Sequence, residues 1–177
     1  GSIGSFVKTP FADWEKAIDI NLKGTALSVH EAYSFFDKEK GGKIVLYSGG
    51  GQGPLANFSA YATSKGAIWR FTETVGAELA LEGIYLNAIA PGAVNTLLLD
   101  ELLAAGPEKV GRAFYEKAIA QKEQGGTSPL KAAELSAWLL SEKSNGLYGK
   151  TLSAVWDPYQ NFTGLAEMSK LDIYQVR

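Results

Sequence analysis

Residues 43–47 read KIVLY, and residues 84–90 read IYLNAIA. Both are short apolar runs rich in β-branched and aromatic residues, and each is followed by glycine or proline within two residues. Such runs predict strands that are buried on both faces. Residues 59–81, which lie between them, carry apolar side chains at helical spacing and predict a helix. A helical crossover between two strands of one sheet makes those strands parallel.

Similar patterns lie on both sides of this unit. Upstream, residues 10–38 predict one long or broken helix with Thr9 as its N-cap. Downstream, residues 97–104, 107–121 and 128–140 predict helices, and residues 152–156 predict a third strand. This alternation predicts one α/β domain over residues 1–177, a Rossmann-like doubly wound parallel sheet with helices on both faces. With three predicted strands, that sheet is incomplete.

The composition argues against several classes of function. The 177 residues carry a net charge of −2, with no block of like charge, which argues against a nucleic acid or a membrane surface as the main partner. The absence of cysteine and the single His30 leave too few ligands for a usual zinc site. No apolar run reaches the roughly 20 residues of a membrane span, and no secretion signal is apparent. We therefore expect a soluble, cytoplasmic protein.

The strongest local signal for chemistry is the pair Tyr61 and Lys65 on the predicted helix 59–81. Residues four apart lie on one face of a helix, so the ammonium is expected near the phenol. A nearby positive charge would lower the tyrosine pKa from its usual value of about 10. Such a tyrosine can exchange a proton with a substrate oxygen. The pair alone also fits a half-buried tyrosine beside a solvated lysine.

Two further segments follow the predicted strands at their carboxyl ends, where doubly wound sheets bind their ligands. Ser48 follows the strand 43–47, and its hydroxyl could bind the same substrate oxygen as Tyr61. A loop serine in a glycine-rich turn is the alternative. Residues 91–96 follow the strand 84–90 and are expected at the same edge.

Together these residues resemble the short-chain dehydrogenase/reductase family, from near the first residue to about Trp156. The matching motifs occur in the family's order: Asp19-Ile-Asn21-Leu, Ser48 followed by glycine, Tyr61-x-x-x-Lys65, Pro91-Gly92-x-Val94-x-Thr96, and residues 146–156. Residues 97–121 occupy the position of the family's substrate lid.

The resemblance implies a role for each motif. Tyr61 is implied as the general acid/base, and Lys65 as the residue that lowers its pKa and holds the nicotinamide ribose. Ser48 is implied to orient and stabilise the substrate oxygen, and the backbone of Asn21 to bind a water on the proton path. The residues implied to contact the nicotinamide are Pro91, Gly92, Val94 and Thr96.

The resemblance also implies the partners of the protein. The cofactor is expected to be NAD or NADP, and the substrate a small carbonyl or alcohol. The tail that begins at Trp156 resembles relatives found among carbohydrate-related genes, which favours a sugar or polyol. The family implies a homo-oligomer that associates through the two long helices, here 10–38 and 59–81.

The family's N-terminal half, with its Gly-x-x-x-Gly-x-Gly turn, has no counterpart in this sequence. The glycines at 49–53 follow the serine strand, and we expect a tight turn there rather than a phosphate cradle. The chain is thus expected to be a truncated, catalytic portion with family strands five to seven. The fifth strand should have an open edge, and the 177 residues alone should bind little cofactor. The alternative is a catalytically inactive remnant that serves as an oligomerisation or interaction module.

Overall fold

The computed structural model describes residues 2–49 and 53–175, and the helices and strands follow the predicted order. The elements are α1 (Phe11–Ile18), a π-helical turn (Asp19–Lys23), α2 (Gly24–Tyr33), β1 (Gly42–Tyr47), α3 (Ser59–Ala80), β2 (Ile84–Ala90), α4 (Leu97–Val110), α5 (Arg112–Glu123), α6 (Pro129–Leu140), β3 (Thr151–Ser153) and α7 (Leu165–Lys170). Residues 50–52 of the expected glycine turn lie outside the described residues, so that turn remains a prediction.

The three strands form one parallel sheet in the order β1-β2-β3. The register pairs Gly42 with Ile84 at the start of β1 and Tyr47 with Ile89 at its end. All three strands therefore end at the same edge, as the predicted fold class requires. Within the described ranges β1 pairs only with β2, so its outer side has no neighbouring strand there.

Side chains along the strands alternate between two helical layers, because successive residues of a strand point to opposite faces. One face packs against α2 and α3 through the buried residues Val29, Leu46, Ile68, Leu86 and Ala88. The other face packs against α6 and the C-terminal segment through Ile89, Leu135, Leu139, Leu147 and Leu152. A third cluster, called here the lid cluster, joins the start of α3 to α4 and α5 through Phe58, Leu99, Leu102, Val110 and Ala118.

The predicted helix 10–38 is interrupted and shorter than expected. Its regular part ends at Tyr33, and the Phe36 ring lies against Gly42 at the start of β1. The chain must leave the helix to bring that ring onto the strand. The interruption is the π-helical turn Asp19–Lys23, where the Gly24 N–H donates to the Asp19 carbonyl one residue farther back than in an α-helix.

Two other predicted boundaries shift. The break expected between residues 104 and 107 lies at Gly106 (φ 78°, ψ 165°), a non-helical residue that kinks α4, whereas the helix predicted over 107–121 is divided at Gly111 (φ 91°), after Val110. Strand β3 is shorter than the predicted 152–156. The Ser153 hydroxyl accepts hydrogen bonds from the backbone N–H groups of Val155 and Trp156, both at 3.2 Å, which turns the chain away.

Candidate active site

The Asn21 side chain connects the π-helical turn to α3. Its Nδ2 donates to Ser64 Oγ at 3.2 Å, and Ser64 Oγ donates to the Tyr61 carbonyl at 2.8 Å. Ser64 is fully buried. The first bond therefore ties the π-helical turn to α3, and the second, within α3, orients the Ser64 hydroxyl. The sequence interpretation passed over Ser64. Its position three residues after Tyr61, on the same helical face, was the available signal.

The Asn21 carbonyl was expected to bind a water. Here it accepts a hydrogen bond from Thr25 Oγ1 at 2.6 Å. A carbonyl oxygen has a second lone pair, so there is still a place for a water, and that role stays a prediction. π-helical turns inside α-helices occur frequently at functional sites, and this one lies at the motif residue.

Tyr61 and Lys65 lie near the start of α3, close to the carboxyl end of β1. Lys65 Nζ donates to the carbonyl of Tyr47, the last residue of β1, at 2.9 Å. Burial raises the pKa of the Tyr61 phenol above its usual value, and burial lowers the pKa of Lys65. The expected lowering of the Tyr61 pKa by Lys65 is therefore wrong for this arrangement. Desolvation dominates at the phenol, and the ammonium is hydrogen-bonded to a backbone carbonyl.

Gly49 brings the Tyr61 hydroxyl to the end of β1. A Cβ at position 49 would lie 2.8 Å from the Tyr61 hydroxyl oxygen, closer than ordinary contact allows. Gly49 also has φ +104°, a backbone conformation that residues with a side chain rarely adopt. The lack of a side chain at this position thus lets the phenol approach the backbone that follows Ser48.

Ser48 lies at this end of the sheet but is fully buried. Its Oγ is 3.3 Å from the Ile89 carbonyl and 3.4 Å from the Gly49 carbonyl, both long for a hydroxyl donor. Ser48 thus precedes Gly49, the residue that the Tyr61 hydroxyl approaches, but the Ser48 hydroxyl is not exposed at the surface. A rotation about χ1 would be needed before it could bind a substrate oxygen.

The segment after β2 lies at the same edge of the sheet. Gly92 has φ +87°, and a Cβ there would lie 2.7 Å from Val155 Cγ2, so Gly92 packs against the turn after β3. The Ala93 carbonyl accepts from the backbone N–H of Thr127 at 2.8 Å. Thr96 is the N-cap residue of α4, but its side chain makes no capping bond. Of the four loop residues expected to contact the nicotinamide, Pro91 and Val94 are half-buried, and Gly92 and Thr96 are exposed.

The donor set at this edge suits the nicotinamide end of a dinucleotide. It offers a phenol and an ammonium on one helix, beside an exposed backbone loop. Among residues 2–49 and 53–175 no glycine-rich turn leads from a strand directly into a helix, so no pyrophosphate site is assigned there. In the same ranges no three His, Asp or Glu residues are grouped so as to hold a metal. Nor is any described helix long and apolar enough to cross a membrane.

A family model described as enoyl-(acyl carrier protein) reductase matches residues 2–154. The chain belongs to the short-chain dehydrogenase/reductase family. The 3β-hydroxysteroid dehydrogenase 1 of Eggerthella lenta is 36% identical over 142 residues, which cover 79% of this chain and 52% of the relative. The glucose 1-dehydrogenase 2 of Bacillus subtilis is 35% identical over 142 residues, covering 79% and 53%. The chain spans about half the length of these curated relatives.

Solved structures of family members share the fold. A crystal structure of NAD⁺-bound xylitol dehydrogenase matches with a TM-score of 0.72 and 29% identity. The match covers 86% of this chain and 63% of that one. The likeness confirms the predicted fold class, a parallel Rossmann-like sheet.

Proposed function

We propose that the protein is an NAD(P)-dependent oxidoreductase that transfers a hydride between the nicotinamide and a carbonyl or alcohol substrate. The observation that carries this proposal is the placement of Tyr61 and Lys65. Tyr61 approaches the backbone after Ser48 at the carboxyl end of β1, and Lys65 contacts the end of the same strand. Ligands of doubly wound sheets bind at that edge. The family membership supports the same chemistry.

The proton would be handled by Tyr61. When bound, the cofactor supplies or accepts the hydride. Burial raises the Tyr61 pKa, so the phenol is protonated at neutral pH and suited to donate to a carbonyl oxygen. Alcohol oxidation requires the phenolate. Lys65 would stabilise that phenolate if its ammonium left the Tyr47 carbonyl and approached the phenol.

The other site residues would position the reactants. Ser48, after rotation, would donate a hydrogen bond to the substrate oxygen, and the Asn21 carbonyl would hold a water of the proton path. Lys65 would also bind the nicotinamide ribose. The carboxamide would be bound by the loop residues Pro91, Gly92, Val94 and Thr96. NAD and NADP are both compatible with this end of the site, since the two differ only at the adenosine ribose.

For the substrate we propose a sugar or polyol. The names of two of the relatives, a glucose dehydrogenase and a xylitol dehydrogenase, support this class. A third relative is named for a hydroxysteroid, and an apolar cluster that includes Leu99 and Leu102 packs beside Tyr61. A steroid alcohol is therefore the comparison substrate in the test.

The test is a fluorescence titration of the full-length protein with NADH and with NADPH, followed by turnover assays with sugars, polyols and steroid alcohols. We expect saturable binding of one of the cofactors and turnover of a polyhydroxy substrate. Lys65→Met should weaken cofactor binding about tenfold or more, whereas Lys117→Met, at an exposed position of α5, should leave it unchanged. A folded full-length protein that binds neither cofactor would refute the oxidoreductase proposal and favour the inactive remnant.

We further propose that the protein forms a homodimer through α2 and α3. The two helices border an apolar groove of about 880 Å³, lined by Ala26, Leu27, Val29, Phe71, Val75 and Leu79. The rim carries both Lys23 and the acidic Glu78 and Glu82. A two-fold contact brings the same surface of two copies together. Lys23 of one copy could then face Glu78 or Glu82 of the other.

Leu27→Glu tests this interface. Leu27 is 61% exposed in the single chain. In the proposed dimer a glutamate at this position would be buried, which is costly. Leu130→Glu is the matched control, because Leu130 is 67% exposed on α6, away from the groove. We expect sedimentation to show a dimer for the wild type and for Leu130→Glu, and a monomer for Leu27→Glu. Equal association of all three proteins would contradict the proposed interface.

A further inference from the structure

Asn57 has an unusual backbone conformation. Its φ is +66°, and among the described residues other than glycine only Tyr174 shares a positive φ. Asparagine tolerates the left-handed region better than most residues, but glycine adopts it at lower cost. Residues in such conformations persist where the surrounding contacts require them. We therefore expect the asparagine side chain to make a contact that glycine could not supply.

Asn57 joins three separate segments. Its carbonyl accepts from the backbone N–H of Gly4 at 2.8 Å. Its Nδ2 donates to the carbonyl of Val110, the last residue of α4, at 3.2 Å. The next residue, Gly111, approaches closely, since a Cβ there would lie 3.3 Å from Asn57 Nδ2.

The bond to Val110 supplies a partner that α4 needs. The last carbonyls of a helix have no N–H donor within the helix, and a buried carbonyl left without a donor is costly. Val110 is buried. Asn57 Nδ2 provides a donor to its carbonyl from outside the helix.

The same contact lies beside Tyr61. Phe58, which follows Asn57, is the N-cap residue of α3 and a member of the lid cluster with Val110. The Tyr61 ring packs against that cluster. Gly106 and Gly111 both have positive φ and flank the last turn of α4. They mark points at which the chain direction changes on either side of the bonded carbonyl.

We propose that Asn57 is a positioning residue that holds the end of α4 against the start of α3, a contact called here the latch. The latch sets how closely the lid cluster packs over Tyr61. The latch does not touch the reacting atoms and acts through the lid cluster. Its effect on turnover rests on the proposed oxidoreductase function, whereas the latch itself does not.

Hydrogen exchange of the full chain tests the latch directly. Asn57→Gly keeps the backbone conformation and removes the side-chain donor, and Asn57→Asp replaces the donor by an acceptor. Loss of one hydrogen bond of ordinary strength should speed exchange at residues 103–112 on the order of fivefold. Peptides of α6 should be unaffected. Asn161→Gly, at an exposed position in the turn Tyr159–Asn161, is the control and should match the wild type.

Turnover by the full-length protein gives the second readout. In both Asn57 variants the substrate KM should rise up to about fivefold while kcat stays within about twofold. A loss of folded protein would instead lower the apparent kcat and leave KM unchanged. The proposal is overturned by unchanged exchange at residues 103–112, or by faster exchange throughout the chain. Local acceleration in a protein without turnover would support the latch and refute the proposed function.

Discussion

Gly66 and Gly76 lie on the same helix, α3, and the structure predicts opposite effects when each is replaced by alanine. Gly76 is buried where α3 crosses the sheet. A Cβ there would lie 2.8 Å from Gly149 Cα and N and 3.0 Å from the Leu86 carbonyl oxygen. Gly66 is exposed, and a Cβ there meets nothing within 4 Å.

The magnitudes follow from two terms. Alanine is favoured over glycine in a helix interior by up to about 1 kcal/mol, which applies at both positions. At Gly76 the added methyl would press on backbone atoms nearly 1 Å inside normal contact, and such overpacking costs about 1–3 kcal/mol. The Gly149 N–H donates to the Leu86 carbonyl at 2.8 Å, so the backbone atoms that would have to move also form a hydrogen bond. Gly76→Ala should therefore destabilise by about 1–2 kcal/mol, and Gly66→Ala should stabilise by about 0.5–1 kcal/mol.

Urea unfolding followed by circular dichroism measures both changes. In thermal unfolding, the Gly76→Ala loss corresponds to a Tm lower by about 2–8 °C. Both substitutions replace glycine by alanine in the same helix and gain the same helix propensity. The difference between their free energies of unfolding therefore reports the contact with Gly149. Equal stabilisation by both alanines would refute the close packing of α3 on the sheet described above.

Three further predictions concern single sites. Ser48→Ala should lower kcat/KM about 100-fold. Because the serine hydrogen bonds are long, the same substitution should change the free energy of unfolding by less than about 1 kcal/mol. Steady-state kinetics and urea unfolding measure the two effects. Alcohol oxidation should become faster as the pH rises from 7 to 10 without reaching a plateau, because burial holds the Tyr61 pKa above its usual value of about 10; a plateau below pH 9 would contradict this assignment. Lys150→Met should destabilise the protein by about 1–3 kcal/mol and speed exchange in residues 171–175, because the buried Lys150 Nζ donates to the Leu171 carbonyl at 2.6 Å; unchanged exchange there would count against that anchor.

The sequence predicted the central strands to within one residue. Apart from Lys43 and Asn87, the runs 43–47 and 84–90 are apolar, and glycine or proline follows each within two residues, so their pattern is local. Ser48 and Tyr61 were also expected near the same place, because the carboxyl ends of parallel strands share an edge. These predictions need only the order and spacing of residues.

The details that were predicted wrongly or not predicted at all depend on contacts between distant residues. The Tyr61 pKa is raised rather than lowered because the phenol is buried, while Lys65 binds a carbonyl from another element. The Ser48 hydroxyl lies near the Ile89 carbonyl of the neighbouring strand. Asn57 contacts Val110, far away in the sequence. No periodicity or motif encodes these distances, since they arise from tertiary packing.

Tyr61→Phe in the full-length protein tests the central claim most directly. The substitution removes only the hydroxyl that approaches Gly49, so cofactor binding should be retained. The rate of carbonyl reduction, measured as the disappearance of reduced nicotinamide, should fall by a factor of about 10²–10⁴. Tyr85→Phe is the matched control at the other end of the sheet, where Tyr85 pairs with Lys43, and its rate should equal that of the wild type. A Tyr61→Phe protein that reduces substrate at the wild-type rate would contradict the account.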